Sequence, residues 1–223
     1  MTTTPHTPTD PPLPAWSDQS ALLLDLAVAD LESGHDVLPT MVAFRGDQPL
    51  LLTTLRPFER GQHHDAVIEV GALAMALSAD RIILSLSGRA WSTDDPIPPV
   101  LPGHGDLRQQ VIVLHAADAS SDDPITLTTV VPVDVGTDEE GQPIIDVGPA
   151  MTDSGATGWV PQALLAMAAD SQSEGWDAED LGLQIRRCEL LGHQIAWSPT
   201  VMAQVEQARL QGCTDHWAGE AAA

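Results

Sequence analysis

Two apolar runs, Thr40–Phe44 and Leu50–Leu55, are separated only by Arg45-Gly46-Asp47-Gln48-Pro49. Parallel strands need a crossover of about a dozen residues or more, so a link this short forces an antiparallel pair. Gly46 and Asp47 between apolar runs mark the turn of a hairpin. A helix precedes the pair: Ser17 is placed to cap it, Leu23, Leu24, Ala27, Val28 and Leu31 recur at helical spacing, and Gly34 stops it near Ser33. A second helix spans about His63 to Ser78 and is apolar on most sides, as expected of a buried central helix. Three more β-runs follow at Arg81–Leu86, Gln110–His115 and Ile125–Val135, with a short edge strand at Ile144–Val147. The order α-β-β-α-β-β-β with hairpin-type links predicts an α+β domain, a mainly antiparallel sheet with helices on one face.

After Gly148 the pattern changes. Helical stretches are expected at about Pro161–Ser171, Ala178–Gln194 and Pro199–Gln211, with Asp177 capping the second, Ser198-Pro199 opening the third and Gly212 closing it. The organisation read from the chain is a disordered Thr/Pro-rich tail over 1–16, the α+β domain over 17–149 and a helical extension over 150–223. A Pro-rich loop over 94–105 joins the third and fourth strands.

The run from Gly71 to Ser85, with Trp91 just beyond it and the β-run Gln110–His115 after it, resembles a pattern common in uncharacterised bacterial and phage proteins. The resemblance covers roughly residues 20–145. It implies a small α+β fold and carries no activity with it.

Charge narrows the function classes. Between Arg108 and Arg186 stand fourteen Asp and Glu and no basic side chain, and the whole chain has no lysine. A net charge of −23 on nine arginines leaves no basic stripe for DNA or RNA, and favours a partner with a basic surface. Absent lysine removes the usual phosphate-binding loop, a pyridoxal Schiff base, protein kinases and Ser-Lys hydrolases. No Gly-x-Ser-x-Gly elbow or His-Glu-x-x-His motif occurs. Residues 1–14 lack the apolar core and positive flank of a signal peptide, and no apolar run reaches bilayer length. Two cysteines make no disulfide framework, so a cytoplasmic location without membrane attachment is expected.

The residue sets that remain are sparse. Cys188, His193, Cys213 and His216 supply two thiols and two imidazoles, a donor set suited to tetrahedral zinc in a zinc-stabilised adaptor. Cys188 and His193 lie five residues apart, about 140° around a continuous helix, so Gly192 would have to break that helix first. His63, His64 and His104 form the other candidate, a metal-dependent hydrolase-like site, with Asp106 and His115 joining only if the Pro-rich loop folds back over the second helix. Asp134, Asp138, Glu139 and Glu140 cluster at one turn without the spacing of an EF-hand, and read as a solvated hairpin tip. Trp159, Trp176, Trp197 and Trp217 all fall in the extension, where they form either an interaction surface or the core of a helical unit. Together these favour a non-catalytic acidic protein acting through protein–protein contact or self-association.

Overall fold

The computed structural model describes residues 14–59, 62–90, 108–155, 158–171 and 176–220. Its elements are α1 (Pro14–Glu32), β1 (Thr40–Arg45), β2 (Gln48–Thr54), α2 (His63–Ala76), β3 (Arg81–Ala90), β4 (Gln109–Asp118), β5 (Ile125–Thr137), β6 (Pro143–Val147), β7 (Met151–Ser154), α3 (Trp159–Asp170), α4 (Ala178–Leu191), β8 (Gln194–Trp197) and α5 (Met202–Glu220). The fold is α+β, and every strand pair is antiparallel. Strands run β6-β5-β4-β3-β1-β2-β8 across one eight-stranded sheet, with β7 also pairing β5.

β1 and β2 form the expected hairpin, Thr40 facing Thr54, with a register shift between Ala43 and Phe44. Gly46 takes a positive φ of 57° in the turn, which a residue without Cβ adopts without strain. Its amide donates to the Asp80 carboxylate at 2.8 Å, fixing the hairpin tip against the α2–β3 corner. Arg81 completes this clamp. Its guanidinium pairs with Asp118 and Asp47, both at 2.9 Å, and donates to Ser120 Oγ at 3.1 Å.

Helices cover both faces of the sheet, not one. Met41, Ala43, Ile82 and Leu84 pack under α2, α3, α4 and α5. Their neighbours Val42, Phe44 and Ile83 point the other way and meet Leu23, Ala27 and Leu31 of α1. Central strands buried on both sides read as unbroken apolar runs, and so carry no alternation to say how many faces are covered.

The last third of the chain supplies strands as well as helices. Ala168, Leu181, Ile185, Val205 and Ala208 share one core with β1 and β3. β8 pairs with the outer side of β2, Leu51 facing Trp197. α4 ends earlier than the sequence suggests, at Leu191, because Gly192 adopts φ 92° and His193 N–H closes back on Cys188 O at 3.0 Å. α5 instead runs past Gly212 to Glu220. A glycine inside a helix costs only about 1 kcal/mol, and no proline follows it. The expected tail over 1–16 falls mostly outside the described residues, as does the Pro-rich loop over 94–105.

α2 and α3 approach closely at Gly71. A Cβ there would lie 2.1 Å from Met167 Sδ and 2.7 Å from its Cε. Gly71→Ala should therefore lower unfolding stability by about 1 kcal/mol in urea titration, overpacking outweighing the gain in helix propensity. Gly71→Val, whose branched Cβ leaves less room for Met167 to turn aside, should cost about 2–3 kcal/mol.

Candidate functional site

Three groupings of residues stand out once the fold is set. The first is a buried polar network between α2, the chain after β2 and the α4–β8 turn. The Glu69 carboxylate accepts from Arg56 Nε at 2.7 Å and Nη2 at 3.0 Å, and from His193 Nε2 at 2.9 Å. His193 Nδ1 accepts the Arg56 backbone N–H at 3.1 Å. With Nδ1 used as an acceptor, the ring proton sits on Nε2 and the imidazole is neutral. Burial opposes the charge, so the His193 pKa falls below its ordinary value despite the carboxylate, and protonating Nδ1 would set two N–H groups against each other. The Arg56 hydrogen bonds hold Glu69 below the usual carboxylate range against the opposing effect of burial.

Cys188 belongs to the same network. Its Sγ donates to the Glu69 carbonyl at 3.4 Å, and burial pushes the thiol up to about 11. The αL turn at Gly192 does bring Cys188 and His193 together, but around Glu69, with both ring nitrogens of His193 engaged inside the protein. The side chains of Cys213 and His216 lie outside the described residues. Among the described residues, no group of three or more His, Cys, Asp and Glu side chains is arranged to hold a metal ion.

The second grouping is a cavity of about 330 Å³ on the face of the sheet that α2 and α3 cover. Pro39, Phe58, Leu86, Val113 and Val160 form apolar walls, and His63 and His115 supply polar side chains; Ser87 also borders it, although its register opposite Ile112 puts its side chain on the other face of the sheet. His63 and His115 thus both line this cavity; His104, Asp106 and the Pro-rich loop lie outside the described residues. His63 opens α2, whose N-cap Gln62 makes no capping hydrogen bond. His115 comes from β4, on the face away from Ile112 and Leu114, and its Nδ1 lies 3.0 Å from Thr128 Oγ1. Burial, and then the neighbouring His63, bring the His115 pKa down to about 4; burial and His64 lower that of His63. His64 turns away and lies over Trp159, ring centroids 3.8 Å apart and tilted by 33°. The three histidines therefore do not converge on one point: two face the cavity and the third is an aromatic contact on its outer side.

The third grouping is on the surface. Leu183 and Leu190 of α4 and Leu210 of α5 are 61%, 79% and 72% exposed. On α4 the buried stripe is Leu181, Ile185 and Cys188. Leu183 and Leu190, two helical turns apart, lie on the opposite side. Leu190 and Leu210 follow Glu189 and Arg209 in the chain, and those two residues form an ion pair joining α4 to α5. Among the described residues, the exposed large apolar side chains of α4 and α5 are thus all leucines. Of the tryptophans, Trp176 and Trp197 are partly buried against the main core, Trp159 stacks on His64, and the Trp217 side chain is outside the described residues.

Acidic side chains gather at the opposite end of the sheet. Asp134, Glu139, Glu140 and Asp146 are exposed on the β5–β6 hairpin, Asp138 sits in its turn, and Asp153 follows on β7. Asp134 and Asp146 face each other directly across the strand pair. No helix among the described residues is long and apolar enough to cross a membrane. No family model, curated protein or solved structure significantly matches the chain.

Proposed function

We propose that this is a non-catalytic contact protein that associates with a second copy of itself through the outer face of α4 and α5. The observation that carries this reading is the trio Leu183, Leu190 and Leu210. Single exposed leucines are ordinary, but three on the outward sides of two ion-paired neighbouring helices form an apolar surface that water covers poorly. A helix needs one apolar stripe to dock on its own core, and α4 carries a second on the far side. The acidic β5–β6 hairpin, at the other edge of the sheet, supports a further role in recruiting a basic partner, since like charges repel nucleic acid and favour cationic protein surfaces.

Light scattering on the full chain tests this directly. The molar mass should rise from monomer towards dimer as the concentration increases from micromolar to submillimolar. Leu183→Glu/Leu190→Glu/Leu210→Glu should remain monomeric throughout, with unfolding stability within about 1 kcal/mol of the monomeric wild type because the positions are exposed. A wild type that stays monomeric over the whole range overturns the reading.

A further inference from the structure

We propose that two copies of the chain meet with α4 laid antiparallel on α4 about a two-fold axis at Leu183, Glu179 and Asp180 of each copy facing Arg186 and Arg187 of the other. The inference rests on self-association through α4 and α5. It adds the register of that contact and the charges that select a second copy as the partner.

The outer face of α4 is charge-balanced in a chain of net charge −23. Glu179, Asp180, Leu183, Arg186, Arg187 and Leu190 are all exposed, and they lie opposite the buried stripe of Leu181, Ile185 and Cys188. Two copies carrying so much negative charge repel each other over most of their surfaces. Three of the nine arginines lie on α4 and α5, so that repulsion is offset here. Spacing then fixes how the charges can be used. Glu179 and Arg186 are seven residues apart, as are Asp180 and Arg187. Seven residues make two turns, so each pair lies on one stripe of the helix but about 10 Å apart along its axis. Side chains on one helix meet three or four residues away, and at seven these pairs stay open. Neither arginine forms an ion pair with a described side chain.

An antiparallel second copy closes them. With the axis at Leu183, the acidic turn of each helix lies level with the two arginines of the other, and each stripe faces itself. Glu179 then meets Arg186 of the second copy, Asp180 meets its Arg187, and Leu183 packs on its own counterpart at the centre. Asp180 accepts the Asp177 N–H at 3.4 Å through Oδ2, which leaves its second oxygen for the guanidinium. Other arrangements fail on charge. Matching Leu183 with Leu190 moves the axis between Arg186 and Arg187 and gathers four guanidinium groups at the contact. Parallel helices set every charge against its like. Like charges across a contact are costly, so the charges single out one register where the leucines alone do not.

Charge reversal tests the register, read by sedimentation equilibrium of the full chain at low ionic strength, where screening is weak. Glu179→Arg and Arg186→Glu each enter a symmetric dimer twice, and each should weaken association about tenfold. Repulsion from net charge alone gives a different pattern, because Glu179→Arg makes the chain less negative and would then strengthen association. Glu179→Arg/Arg186→Glu restores opposite charges at the unchanged net charge of −23, and should associate within about threefold of the wild type. An equimolar mixture of the two single variants should do the same as a heterodimer. Both positions are exposed, so every variant should fold, with far-UV circular dichroism as the check. A double variant or a mixture that associates no better than either single variant overturns this arrangement and leaves self-association standing. A wild type that stays monomeric overturns both.

Discussion

Glu69→Ala should lower the unfolding free energy by about 3 kcal/mol, the largest loss expected from any single polar substitution here. The carboxylate is 10% exposed, its partner guanidinium on Arg56 20%, and the His193 side chain is fully buried. Removing the carboxylate strands a largely buried cation and a ring N–H together, which costs more than the hydrogen bonds were worth in the intact protein. Three parts of the chain then lose their common fastening: α2, the segment after β2, and the α4–β8 turn. Glu69→Gln keeps the oxygen acceptors in part and should lose about half as much. Replacing both ends, as Glu69→Leu/Arg56→Met, should recover stability relative to Glu69→Ala because no charge is left uncompensated. Urea titration of the four proteins at pH 7.5 gives the comparison. Equal stability of Glu69→Ala and wild type would mean that water takes over the role of the carboxylate.

Acid should weaken the fold well before carboxylates as a class titrate. Unfolded, His115 has its ordinary pKa of 6.5; folded, it falls to about 4. Between those values the unfolded chain binds more protons, so lowering the pH favours unfolding. The contribution is complete above pH 6.5 and lost as the pH drops towards 4, amounting to about 2 kcal/mol between pH 7.5 and 5. His63 and His193, both lowered mainly by burial, act in the same direction. Glu69 is also lowered, but its stabilisation is lost only as the pH falls below the ordinary carboxylate value of 4.5. The urea midpoint should therefore fall steeply from pH 7 to pH 5. His115→Phe, which cannot gain a proton, should show a shallower fall. An unchanged slope in that variant would place the proton uptake elsewhere.

The antiparallel core was legible because its signals are local. The Arg45–Pro49 link and the strand runs at Arg81, Gln110 and Ile125 each state their own pairing, and the α+β class follows. What escaped is non-local. β7 and β8 are four residues each, too short to show a period, and are strands only because β5 and β2 offer open edges. Coverage of the second face by α1 is hidden by central strands that are apolar on both sides. Among the candidate residues, Cys188 and His193 read as metal ligands because their spacing was visible while their partner Glu69, more than a hundred residues away, was not. His63 and His115 were both singled out, yet nothing in the sequence tied them to Ser87 or Phe58. The leucines at 183 and 190 were readable, since they lie seven apart and opposite the stripe Leu181, Ile185 and Cys188.

The pairing of β8 with β2 has a consequence for how the protein is made. Leu51 waits for Trp197, so the outer side of the first hairpin stays open until residues 194–197 have left the ribosome, well after the hairpin itself. Such distant pairing slows folding, and the exposed strand is meanwhile a target for neighbouring nascent chains. Truncation before residue 194 would leave that side permanently uncovered, turning a late step of synthesis into a requirement for solubility.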